Sequence, residues 1–137
     1  MKRHEAREKV YRIIFQMEFH PEFKEMVPRL TKEEGLRGTQ GEYALDTIYG
    51  IIRNLEQIDR MISDNLKNWT IGRISKTALA ALRLGIYEIM YNDSIPDVTA
   101  IDEAVTLAHR YCEDDECTFI NGVLNKVYKS KSVKAGV

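Results

Sequence analysis

Proline is scarce in this chain, at 3 of 137 residues, and glycine is modest at 8. So little punctuation argues against a many-turned sheet protein and favours long helices. No apolar run approaches the ~18–20 residues that a membrane span needs; Ala78–Leu82 is among the longest. The opening residues, Met1-Lys2-Arg3-His4-Glu5, are charged rather than apolar. They argue against a secretory leader, and the expected location is the cytoplasm. Cysteine is limited to Cys112 and Cys117, and a disulfide between them would be out of place in a reducing compartment. With His109 they spell H-x-x-C-x-x-x-x-C, but a fourth ligand is missing and the spacing fits no zinc pattern. They read as thiols at helix edges, and neither metal nor cofactor is expected.

Catalytic signals are missing too. His4, His20 and His109 fall on separate elements, and there is no G-x-S-x-G, cysteine–histidine pair or dinucleotide fingerprint. Gly35, Gly38 and Gly41 mark a flexible loop, but it follows no strand and lacks the lysine of a nucleotide-binding loop. The acidic run Glu113-Asp114-Asp115-Glu116 lacks the alternating ligands and turn glycine of a calcium loop, and reads as a solvated turn. The chain is not expected to be an enzyme.

What is present is a globular balance of 44% hydrophobic and 30% charged residues, enough for a real core without disulfides or metals. Helical periodicity runs almost throughout. Ala6, Val10, Ile13, Ile14 and Met17 form one buried row, with Tyr11, Phe15 and Phe19 a second; Glu5, Lys9, Arg12 and Gln16 form the polar stripe. Pro21 is expected to end this helix. Phe23, Met26, Val27 and Leu30 outline a short second helix, bent or restarted near Pro28. Apolar residues at 44, 48, 51, 55, 58, 62 and 66 predict one long helix, in which Gly50 admits a close neighbour.

After a break at Asn68-Trp69-Thr70-Ile71-Gly72, Ser75 or Thr77 can cap a helix through Tyr91 that is apolar on nearly all sides. Thr99 with Asp102 resembles a capping pair for the next helix, which buries Ile101, Ala104, Val105 and Ala108. Asp115 is placed to cap the last, with Phe119 or Ile120, Val123, Leu124 and Val127 inside. The expected fold is all-α, a single domain with helical subdomains at about 1–67 and 68–130 and a short basic tail at 131–137.

Net charge is only −1, so bulk attraction to nucleic acid is not the basis of any function. The charges are sorted, however. Lys2, Arg3, Arg7, Lys9 and Arg12 crowd the start, and Lys126, Lys129, Lys131 and Lys134 the end, with the acidic run between. Lys2, Arg3, Arg7 and Lys9 could line a phosphate-binding strip. Tyr111 and Phe119, flanking the acidic turn, are candidates for stacking on splayed RNA bases, although aromatics at helix ends more often pack in a core.

Three stretches in this order and spacing are similar to the NusB family of bacterial transcription antitermination factors, over nearly the whole chain. They are A-R-E-K-V-Y-R-I-I-F-Q at 6–16, A-L-R-L-G-I-Y-E at 81–88 between Trp69 and Ile95-Pro96, and I-D-E-A-V at 101–105 with F-I-N-G-V-L-N at 119–125. The resemblance implies two small helical bundles packed roughly perpendicular, with about seven helices in all. It also implies binding of boxA RNA jointly with NusE, a small-subunit ribosomal protein, within an RNA polymerase complex that resists termination, chiefly on ribosomal RNA operons. By position, its basic amino terminus falls on Lys2, Arg3, His4 and Arg7, and its aromatic RNA contacts on Tyr111 and Phe119. Asp115 and Glu116 fall where RNA and the partner protein meet. His4 and Glu5 stand where relatives often carry arginines, and Ala78 and Leu79 where an acidic–basic pair is common, which weakens the expected RNA affinity. The rivals are a protein-only helical adaptor or dimerisation module, and part of an RNA cytosine methyltransferase. Monomer and homodimer remain open.

Overall fold

The computed structural model describes residues 1–66 and 70–135, with side chains as far as Lys131. Trp69 and the subdomain boundary at 67/68 lie outside the described residues, as does the Lys134 side chain. Among the described residues there are seven α-helices and no strand: α1 (Arg3–Phe15), α2 (Phe23–Glu33), α3 (Gly38–Arg53), α4 (Leu55–Asp64), α5 (Lys76–Tyr91), α6 (Asp97–Tyr111) and α7 (Asp114–Ala135). Short 3-10 turns follow α1 at Gln16–Glu18 and precede α5 at Ile71–Arg73.

The core is organised by α5. Every residue from Ala78 to Ile89 is buried, and the helix packs against α1, α3, α4, α6 and α7. It therefore belongs to both halves of the molecule. Ser75 Oγ caps it by accepting the Ala78 amide at 3.1 Å. Close approach is made possible by two glycines. A Cβ on Gly50 would overlap the Tyr87 ring, so α3 meets α5 there as its sequence implies; Gly85 offers Leu124 and Ala104 the same room.

Being buried on all sides from Ala78 to Ile89, α5 cannot leave the two charged side chains of that stretch to water. Arg83 grips both carboxylate oxygens of Asp59 at 2.9 and 2.8 Å and also donates to Glu18, fastening α5 to α4 and to the turn after α1. Glu88 accepts from Arg7 Nε at 2.9 Å and Tyr43 Oη at 2.7 Å, which fastens it to α1 and α3. Burial pushes the Glu88 carboxyl up, against the pull of Arg7 and Tyr43 in the other direction. At the far end Lys131 donates to Ile89 O at 2.7 Å and to Asp97 at 3.0 Å, closing α7 onto α5 and α6.

Several boundaries differ from expectation. The long helix over 44–66 is two helices, because Asn54 leaves helical geometry (φ −108°, ψ 16°) and turns both its backbone amide and its side chain onto Gly50 O. The apolar spacing runs on across the break, with Ile51 and Ile58 both fully buried, so periodicity alone did not reveal it. α2 runs unbroken through Pro28. The glycine loop is shorter than expected: Gly35 and Gly38 take positive φ of 72° and 62°, but Gly41 is already buried inside α3. Regular helix in α1 ends at Phe15, well before Pro21, and Phe19 is 53% exposed rather than buried. Thr99 and Asp102 lie inside α6, which starts after Pro96 without a side-chain cap. Asp115 does not cap α7 from outside. Instead Glu116, in its first turn, reaches back to the Glu113 amide at 3.1 Å, one half of a capping box.

Two outcomes follow from the buried charges. Arg7→Met leaves Glu88, 1% exposed, without its counter-charge, and is expected to cost about 3–5 kcal/mol in urea denaturation. A loss below about 1 kcal/mol would show that Tyr43 alone satisfies the carboxylate. The second concerns acid. Burial works to raise Glu18, but the hydrogen bond and charge of Arg83 outweigh it and hold the carboxyl below its ordinary value of 4.5. A depressed carboxyl stabilises the fold above its unfolded-state value, and that contribution is lost as pH falls through the folded-state value. Stability is expected to drop on acidification below about pH 4.5, and Glu18→Gln to flatten that part of the profile. An identical profile in the variant would remove Glu18 from the acid response.

Candidate nucleic-acid interface

At about 100° per residue, the basic start of α1 is divided between two faces. Arg3 and Arg7 point towards α3. Arg3 Nε donates to Gln40 Oε1 at 2.8 Å, and its guanidinium lies 4.3 Å from the Tyr43 ring centre. Arg7 is only 4% exposed and is committed to Glu88, with Glu103 3.5 Å away. This departs from the sequence expectation of a solvent-facing phosphate contact: the residue is part of the helix-packing machinery. Lys2 and His4 are exposed.

His4, Glu8 and Arg12 follow one another at four-residue steps on the other face, which meets the end of α6. There Tyr111 packs on Tyr11 with ring centres 4.9 Å apart, and its hydroxyl donates to Glu8 Oε2 at 2.6 Å. Glu8 also pairs with Arg110 and lies 3.6 Å from Arg12. Arg12 reaches across to Glu34, at the end of α2, at 2.8 Å and to the Tyr111 hydroxyl at 3.5 Å. Lys9 Nζ donates to Glu34 O at 2.6 Å. These contacts border an open cleft of about 460 Å³, apolar at its floor and lined by Tyr11, Phe15, Leu30 and Tyr111, with Arg12 and Glu34 at its rim. A flat, mostly apolar surface beside cations is what a base and its phosphate require.

Phe119 sits in the second turn of α7, partly buried against the core. Asp115 is exposed, and its Oδ1 accepts the Glu116 amide at 2.9 Å. Asp115 and Glu116 thus place negative charge at a helix amino terminus, where the backbone dipole favours it. Among the described residues Cys112 is half-buried and Cys117 buried; both are free thiols, pushed up chiefly by burial. His109, in the last turn of α6, is exposed.

The structure therefore brings Tyr111 onto the α1 face that carries His4, while Arg3 and Arg7 turn away from that face. It also adds Arg12, Phe15, Glu34 and Arg110, which the sequence alone did not mark as site residues. The only available signal was the four-residue step from His4 through Glu8 to Arg12. Glu34 and Arg110 join through contacts spanning 22 and 102 positions, which no local pattern reveals.

Residues 4–129 match the model of the NusB family. The chain is 41% identical over 136 residues to the transcription antitermination protein NusB of Acetivibrio thermocellus, covering 98% of this chain and 94% of that protein. Among solved structures it superposes on T. maritima NusB with a TM-score of 0.86 and 32% identity, covering 94% of this chain and 92% of that one. It also resembles a chain in a crystal structure of the antitermination factors NusB and NusE in complex with double-stranded RNA, with a TM-score of 0.83, 26% identity and coverage of 93% and 96%. With the helical order, the all-round buried α5 and the match over nearly the full length, these findings place the chain in the NusB family.

Proposed function

We propose that this protein is an RNA-binding transcription antitermination factor that engages boxA-type RNA together with NusE, without catalysing a reaction, in the bacterial cytoplasm. The observation that carries this reading is the near-full-length likeness to NusB proteins, one of them held in a complex with NusE and RNA. The chemistry of the α1–α6 face supports it, since a half-open aromatic cleft lies beside guanidinium groups. Among the described residues no helix is long and apolar enough to cross a membrane.

In this reading Lys2, Arg3 and His4 supply phosphate contacts, and Tyr111 and Phe119 supply faces for bases. Asp115 and Glu116 meet the partner protein. Arg7 acts through Glu88 and Tyr43, by fixing the angle at which the start of α1 leaves the core. The two groups of helices form one unit, because α5 serves both.

Fluorescence anisotropy of a boxA-type RNA dodecamer, titrated at two salt concentrations with and without NusE, tests the proposal. Binding should tighten with NusE and weaken with salt, by a slope of about 0.7 for each phosphate contact on a single strand. Absence of binding in all four conditions would overturn it in favour of a protein-only adaptor. Phe119→Ala should weaken RNA binding by about tenfold, the lower range for a lost stacking face, while lowering the melting temperature little. Matching losses in both measurements would make Phe119 a packing residue only.

A further inference from the structure

The cleft where α1, the end of α2 and Tyr111 of α6 meet has Arg12 at its rim, and Glu8 links Arg12 to Arg110 beyond it; both cations already have counter-ions. Arg12 and Arg110 are the outer members of the cluster, with side chains 44% and 58% exposed; Glu34 and Glu8, which hold them, are 32% and 20% exposed. The carboxylates are thus the more enclosed partners, with the guanidinium groups standing further into solvent. Each guanidinium is a planar fork with five donors, so a carboxylate on one edge leaves donors for a second anion. Exposed pairs of this kind are only weakly held. An incoming phosphate, which takes the same bidentate geometry, can therefore share each guanidinium with its carboxylate at small cost.

The carboxylates do not leave when this happens. Glu8 is kept in place by the Tyr111 hydroxyl at 2.6 Å, and the backbone of Glu34 is anchored by Lys9 Nζ, which donates to its carbonyl oxygen at 2.6 Å. Any phosphate on Arg12 would then sit beside two negative charges at short range. The pairs Glu8–Arg110, Glu34–Arg12 and Glu33–Arg29 cancel, and Lys9, which donates to Glu34 O, is the one charge left over at the cleft wall among the described residues. The local balance is close to zero, although the cleft has the apolar floor and the donors that a nucleotide needs.

We propose that Arg12 and Arg110 form a phosphodiester-binding pair of the RNA face, and that Glu34 and Glu8 are built-in competing counter-ions which set its affinity below what the cations alone would give. This rests on the RNA-binding reading above and specifies how that face is tuned. The ligand is the backbone of single-stranded RNA whose base enters the cleft beside Tyr111. The device also gives selectivity: a lone phosphate gains too little to overcome the carboxylates, whereas a nucleotide that adds stacking does.

The test uses the full chain, the same labelled dodecamer and two salt concentrations. Glu34→Gln keeps the shape of the rim and removes the charge, so binding should tighten several-fold and the salt slope steepen by up to about 0.7. Glu56→Gln, which removes an equal charge from an exposed pair on α4, should give a much smaller gain. Adding Arg12→Gln to Glu34→Gln should abolish the gain. Equal gains from Glu34→Gln and Glu56→Gln would reduce the effect to net charge and overturn the proposal. Unchanged or weaker binding by Glu34→Gln, with an unchanged melting temperature, would make Glu34 a positioning residue for Arg12 and also overturn it. If neither the wild type nor any variant binds RNA, the RNA-binding reading itself fails. Tight wild-type binding that is indifferent to Glu34 removes only the counter-ion proposal.

Discussion

The pairing of two charges on a helix with no solvent side governs the rest of this molecule. Arg83 and Glu88 lie within one continuous buried stretch of α5, and neither can be hydrated there. Each must recruit partners from other helices, and those partners come from both directions. Arg83 fixes α4 and the turn after α1, while Glu88 fixes α1 and α3. Apolar burial supplies most of the driving force for collapse. Hydrophobic contact alone, however, is tolerant of rotation and sliding, whereas a bidentate guanidinium–carboxylate contact has one geometry. The charged pairs therefore determine where α1 sits on α5, and through α1 they determine the geometry of the functional face.

That dependence explains how one helix divides its labour. The residues of α1 that face α3 and α5 are spent on structure, Arg7 most of all. A quarter-turn away, Glu8 meets Arg110 and Tyr111 at the end of α6, and Arg12 borders the aromatic cleft. A basic sequence is thus not equivalent to a basic surface. Of the five cations in the first twelve residues, one is enclosed in the core and one lies across a tyrosine ring. What remains for RNA is a smaller set, supplemented by Arg110 from the far end of the fold.

Much of the architecture was legible in advance because helices announce themselves through local spacing. The all-round apolar run of α5, its Ser75 cap and the close approach at Gly50 all follow from residues within a few positions of each other. Failures occurred where spacing carries no information. The apolar row continues straight across Asn54, so two helices read as one. Thr99 and Asp115 looked like caps because capping residues are also common inside first turns. The site was harder still. Arg7 has the same sequence appearance whether it faces phosphate or a buried glutamate, and only the helical phase relative to α3 and α5 separates the two. Family likeness marked the neighbourhood of Tyr111 and Phe119, but not the ion-pair cluster around Glu8, whose members are drawn from α1, α2 and α6.

The span of these contacts has a consequence for how the protein is made. Arg7 and Glu88 are 81 residues apart, and Glu8 and Tyr111 are 103 apart. On a ribosome the first helix therefore emerges long before anything it binds. At about 5–20 residues per second it waits on the order of 4–16 s for Glu88, and longer for Tyr111. Throughout that interval α1 presents Val10, Ile13 and Ile14 with no partner from α5, and Arg7 remains hydrated. The arginine can leave water only once α5 has arrived, and Glu8 gains its tyrosine only after α6, so the opening segment of the chain settles into its native position well after it has been made.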